Sequence, residues 1–382
     1  MKIKYWFIYI YMIVFLTLMG QSVLLLHLQD TESSNYYLYQ IGLYSMSIIL
    51  VLCNRRSLNK YPNIKILSLY FLFSFLFSLM NLEAFNIRTV VSIAFNTASM
   101  PLAIGVGVIL SKQLREEWHD LVLVLYQLPA LLNCLILLSY PYGTRPDTIF
   151  SIFVFLPFCF LFHRKWLSYI FLIIYLLAVL LTAKRSVILT YSICVSLFVI
   201  YNTFVNKYQK LWKRYLLIFF AIAMGAYYVS SKVEYIEGVK ERFERLEDNE
   251  SNGRDEIIIH YSNRLSESDS FELLFGHGYA AVLKDIGKGA HNDLLEILDD
   301  YGVIVFFIYI CFGISTLNFY YKDYKKDSKS EYSFNTLLIC LVIFMVGIFN
   351  CISISNLYVY VLFLILGISM NEVQKKFEHQ ST

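Results

Sequence analysis

The sequence predicts an all-α polytopic integral membrane protein of about twelve transmembrane helices, with one large external loop that contains short helices. Three observations carry that expectation. Of the 382 residues, 58% are hydrophobic and only 16% charged, where a soluble domain is about 45–50% apolar and about 25% charged. The mean hydropathy is accordingly positive, at +0.56. Apolar runs long enough for a bilayer recur along the chain, and the basic residues fall on alternate connections between them.

In chain order the runs lie at 5–27, 36–53, 66–80, 89–110, 120–140, 148–162, 166–182, 186–204, 215–231, 295–319, 334–350 and 357–370. The first is followed by no small-residue cleavage site and reads as a retained anchor. With the N-terminus inside, cytoplasmic connections hold 20 of the 32 Lys and Arg, including Arg55, Arg56, Lys112, Arg164, Lys165, Lys322, Lys325 and Lys375. Short external connections hold only Arg88, Arg145, Lys184 and Arg185. The chain thus divides into a membrane domain 1–231, an external loop domain 232–293, a second membrane domain 294–370 and a tail 371–382, with both termini cytoplasmic. Pro101, Pro129 and Pro157 fall inside apolar runs and can kink them.

Composition also excludes chemistries. The 7 Cys lie within or beside apolar runs and form no C-x-x-C pair, so they encode neither a disulfide framework nor a metal cluster. Walker A, H-E-x-x-H, Rossmann and G-x-S-x-G motifs are missing, and nothing has the footprint of nucleic-acid binding. No aspartate lies deep in a run, as ion-coupled carriers often have.

The external loop opens with "VEYIEGVKERFERLED", whose Val233, Ile236, Val239, Phe243 and Leu246 follow helical spacing. A turn at Asn252-Gly253 and a second helix follow, and "FGHGYAAVLKDIGKGAHN" reads as a glycine-punctuated loop returning to the bilayer. Eight Lys and Arg face fourteen Asp and Glu there, a net charge of −6. An anion held by this loop needs a few positioned arginines rather than a general basic field.

Lys184-Arg185 sits between two apolar runs, which points to a tight hairpin at the interface, and a pair snorkelling to headgroups accounts for it equally. Arg254 follows Asn252-Gly253 at a helix start, where it is either a solvated side chain or a phosphate ligand. In "GAHNDLLEILDDYGV" (289–303), Asn292 reads as the N-cap of a helix whose Asp293, Glu296 and Asp300 share one face. That leaves His291 over, as a base or hydrogen-bond donor. Since Val303 to Tyr321 alone would span about 28 Å, a break is expected near Gly302, holding His291 at the external mouth of the bundle.

Together these residues resemble the signature of the O-antigen ligase and Wzy-type polymerase superfamily. His291-Asn292 and Gly302 are separated by the nine residues 293–301, as that signature requires, although Val305 departs from its Gly, Thr or Tyr. "TAKRS", "NGRDEI" and the Gly276-x-Gly278 of "FGHGY" match its other elements in order. The resemblance implies a cofactor-free, metal-independent glycosyltransferase in a bacterial plasma membrane. Its donor would be a polyprenyl-diphosphate-linked oligosaccharide, bound from the lipid bilayer. Arg185 and Arg254 would bind the diphosphate, His291 would act on the acceptor hydroxyl, and Lys184, Asn292 and Gly302 would support them. The first reading is a polymerase of surface-polysaccharide repeat units (O-antigen, capsule or exopolysaccharide), working beside a flippase and a chain-length regulator. The alternatives are a ligase delivering glycan to lipid A–core or another acceptor, and a lipid-linked oligosaccharide flippase, against which the lack of two-fold repeats stands.

Overall fold

A computed structural model describes residues 5–28, 34–82, 86–113, 118–139, 154–182, 185–204, 254–287, 292–326, 331–350 and 356–380. Among these residues every regular element is a helix. The membrane part begins with α1 (Tyr5–Leu28), α2 (Ser34–Cys53), the short α3 (Arg55–Leu58), α4 (Pro62–Met80), α5 (Ile87–Gln113) and α6 (His119–Ser139). A 3-10 turn (Leu156–Phe160), α7 (Lys165–Thr182) and α8 (Arg185–Phe204) follow. The segment after α8, predicted from the sequence to be external, contributes α9 (Arg254–Glu267), α10 (Ser270–Phe275) and α11 (Ala281–Ile286). The chain then runs through α12 (Asp293–Lys326), α13 (Glu331–Asn350) and α14 (Asn356–Gln380).

Apolar residues surround most of these helices, as hydrocarbon demands of a segment that satisfies its own backbone. Five are long and apolar enough to cross a membrane: Pro62–Met80, Ile87–Gln113, His119–Leu137, Asp293–Lys326 and Leu357–Glu378. Five shorter apolar helices accompany them, at Trp6–Ser22, Leu38–Cys53, Lys165–Val179, Leu189–Phe198 and Ser333–Gly347. This is a polytopic membrane architecture, with large apolar side chains such as Ile13, Leu52, Leu135, Phe307 and Ile314 on its outer surface. The expected runs 215–231 and 233–246 lie outside the described residues.

The expected span 148–162 needs correction. Its described part, residues 154–162, holds the buried 3-10 turn Leu156–Phe160 and no α-helix. Pro157 stands at the start of that turn, where a missing N–H is tolerated; the Phe155 carbonyl accepts from Phe158 N–H at 3.1 Å and from Gln127 Nε2 at 3.3 Å. Residues 155–160 are buried, with α7 and α13 packed against them.

The core is organised around α14, which packs along α5. Gly107 and Gly367 sit at that crossing, where a Cβ on either would strike the other helix's backbone at Leu364 or Ile104. Small residues let apolar helices gain close backbone packing where no hydrophobic force drives them together. Hydrogen bonds fix the register: the Tyr360 hydroxyl lies 2.9 Å from that of Tyr11 and 2.6 Å from Ser47 Oγ. Nearer the basic end Tyr61 donates to Asn371 Oδ1 at 2.9 Å, and Asn371 donates to Ser111 Oγ at 3.0 Å.

Candidate functional site

The site begins with the break in α12. Gly302 has φ 75° and ψ 178° inside an otherwise helical run of 34 residues, as the length of the apolar part requires. A break deprives the carbonyls just before it of their helical donors. The external segment supplies replacements: the His277 N–H donates to the Asp299 carbonyl and the Gly278 N–H to that of Asp300, both at 2.9 Å. The backbones lie so close that a Cβ on Gly302 would strike the Leu274 carbonyl, and one on Gly276 (φ 78°) would strike that of Asp300. Each glycine is required by the other's strand of backbone.

Side chains complete the joint. Asp300 accepts from Ala280 N–H at 2.8 Å and Ala281 N–H at 3.0 Å, placing a carboxylate on the N-terminus of α11. Asp299 is fully buried between Arg264 Nε at 3.5 Å and His277 Nδ1 at 3.2 Å. The hydrogen bond to Asp299 and the charge of that carboxylate raise the His277 imidazole above its ordinary value, against the opposing effect of burial. Arg264 also holds Asp285 at 2.7 Å. From the end of α4, Asn81 Nδ2 donates to the Gly276 carbonyl at 2.9 Å, and Phe77 packs edge-on against Phe275 with centroids 4.8 Å apart. Ahead of the joint, a capping box of Asp269 and Glu272 starts α10, while Ile257 and Tyr261 of α9 are buried against Leu295.

The sequence-predicted residues are distributed around this joint. Asn292 caps α12, its Oδ1 accepting from Leu294 N–H at 2.9 Å and Leu295 N–H at 3.3 Å, and Gly302 is the break. Arg254 is the first residue of α9, and Arg185 the first of α8, which packs on α13 and through it on α12. The dipole of a helix opposes a cation at its opening residue and favours an anion there. Lys184 and His291 lie outside the described residues.

Three residues of the joint, Asp299, Arg264 and His277, carry no local mark in the sequence. Asp300 reads as one of a face of acids suited to a helix start, whereas it sits with Asp299 at the far end of that limb, both buried, and accepts from the N–H groups of Ala280 and Ala281. Arg264 and His277 approach them from 35 and 22 residues away, beyond any local pattern. A narrow cleft beside the joint is lined by Asn96, Tyr279, Glu296, Asp300 and Tyr301; burial raises the Tyr279 hydroxyl, keeping it a donor. Its interior has room for on the order of one water molecule or one hydroxyl group.

Residues 170–310 match the O-antigen ligase family. That stretch runs from α7 through the external segment to the first part of α12, and takes in Lys184, Arg185, Arg254, His291, Asn292 and Gly302. No curated protein matches the chain.

Proposed function

From the O-antigen ligase domain at residues 170–310, we infer a glycosyltransferase that polymerises repeat units of a surface polysaccharide on the outer face of a bacterial plasma membrane. The donor is an oligosaccharide on a polyprenyl diphosphate, and the acceptor is a sugar hydroxyl of another lipid-linked unit. The acceptor oxygen bonds to the anomeric carbon as the bond from that carbon to the diphosphate oxygen breaks. Its proton passes to His291, a transfer typically worth 10²–10⁴-fold. Arg185 and Arg254 hold the departing polyprenyl diphosphate and offset its charge without a metal ion.

The observation that carries this reading is the position of the two arginines as the opening residues of α8 and α9 within the matched stretch. The capped, broken α12 supports it: Asn292, the neighbour of His291 in the sequence, caps the first limb of that helix. A ligase transferring the glycan to a different acceptor is the second reading, favoured by the description of the matched family.

The test is His291→Ala at equal expression, with surface glycan examined by gel. Single repeat units are expected at the surface without long chains. Normal chain length would sink the role of His291, lipid-linked units trapped inside would support a flippase, and full-length chains lacking their final acceptor would support the ligase. Purified lipid-linked oligosaccharide should also react in EDTA; a need for added divalent metal would contradict the metal-free step.

A further inference from the structure

We propose that His119, Asp120 and His163 form a binding site for a divalent transition-metal ion of the zinc class, at the end of the bundle away from the glycan site. Gly276 meets Asn81, just past the end of α4; α5 then crosses the bundle, and α6 begins at His119 on the far side. His163 lies in the turn that leads into α7.

His119 is 5% exposed, and its Nε2 is buried without a hydrogen-bond partner. Its Nδ1 stands 3.5 Å from Asp120 Oδ1, too far for a strong bond. A buried imidazole so poorly engaged on both nitrogens is costly, and calls for a ligand. Opposite it, the His163 ring stacks with centroids 4.1 Å apart and planes 13° apart. One ligating atom from each of the three residues falls within 4.8 Å of the others.

Asp120 is already fixed as a ligand would be. Its Oδ1 accepts from His163 N–H at 2.8 Å and its Oδ2 from Arg164 N–H at 3.0 Å. Each carboxylate oxygen keeps a further lone pair, and outer hydrogen bonds of this kind orient metal-ligating carboxylates. Two imidazoles and a carboxylate are a zinc-class set, with water in the fourth position. Bonds of about 2 Å require the three groups to close up, and the exposed His163 is the one able to swing out of the stack. The ion would fasten the start of α6 to the turn before α7. Cysteine spacing predicted no metal, and the separation of 43 positions between Asp120 and His163 hid this set.

The full-length protein, its affinity tag removed, is dialysed in detergent against Zn²⁺ and its metal content measured, with the visible absorption of bound Co²⁺ as a second readout. About one ion per chain is expected. In His163→Ala, an exposed site whose loss spares the helical circular dichroism, affinity should fall more than about tenfold. His119→Asn should behave alike; if that buried change prevents folding, His163→Ala decides alone. No ion above background in the wild type, or undiminished binding in His163→Ala, overturns the proposal.

Discussion

His277 couples the external segment to acidity through one atom pair. Its Nδ1 lies 3.2 Å from Asp299, whose side chain is wholly enclosed and shared with Arg264. Because the folded imidazole titrates above its ordinary value, the protonated form is the better partner. The resulting stability is fully present below the unfolded value of about 6.5 and is lost as pH rises through the higher folded value. Hydrogen exchange of residues 254–287 should therefore be slower at acid pH than above neutrality, and His277→Gln should flatten that dependence. Exchange that slows as pH rises, after correction for intrinsic rates, would refute the assignment.

At the scale of the element, α12 is two limbs joined at a position that only glycine fills comfortably. Gly302→Ala places a side chain at φ 75° and drives its Cβ into the Leu274 carbonyl and the Gly276 N–H. The backbone conformation alone costs about 1–3 kcal/mol, and the displaced contact adds to it. We expect a lower melting temperature and loss of long glycan chains together, with Gly276→Ala behaving alike. A stable Gly302→Ala protein making normal chains would separate the joint from the activity. The cap at Asn292 and the break at Gly302 were legible because an amide before a helix and a glycine after a run of the right length are local signals. The joint was not: what Asp299 and Asp300 bind lies 19 to 35 residues upstream, and no pattern within a helical turn reports it. Apolarity likewise concealed the 3-10 turn at Leu156–Phe160, since a segment enclosed by helices reads the same as one enclosed by lipid.

Across the whole molecule, α14 is the axis. Its contact with α5 is backbone against backbone at Gly107 and Gly367, and α4 and α2 pack on α5 in turn. A branched side chain there cannot be absorbed by a neighbour's rotamer, since what it meets is main chain. Gly367→Val should cost about 1–3 kcal/mol or more, read as a lower melting temperature and aggregation on size exclusion in detergent; an unchanged elution profile and melting point would show that the helices part easily. Of the polytopic layout, composition and the alternation of basic residues disclosed the class, because bulk transfer into hydrocarbon acts on whole segments. The number of crossings is a matter of which apolar segments are covered by others, and that belongs to tertiary structure.

The external segment is held at its root mainly by amides and carbonyls: His277 and Gly278 donate to the backbone of α12, and Asn81 reaches the Gly276 carbonyl. Main-chain groups are common to every amino acid. The joint therefore behaves as a socket whose main-chain part demands three glycines and an aspartate. A segment of different sequence that keeps Gly276, Gly278 and the Asp300–Gly302 corner is expected to dock on the same helix ends.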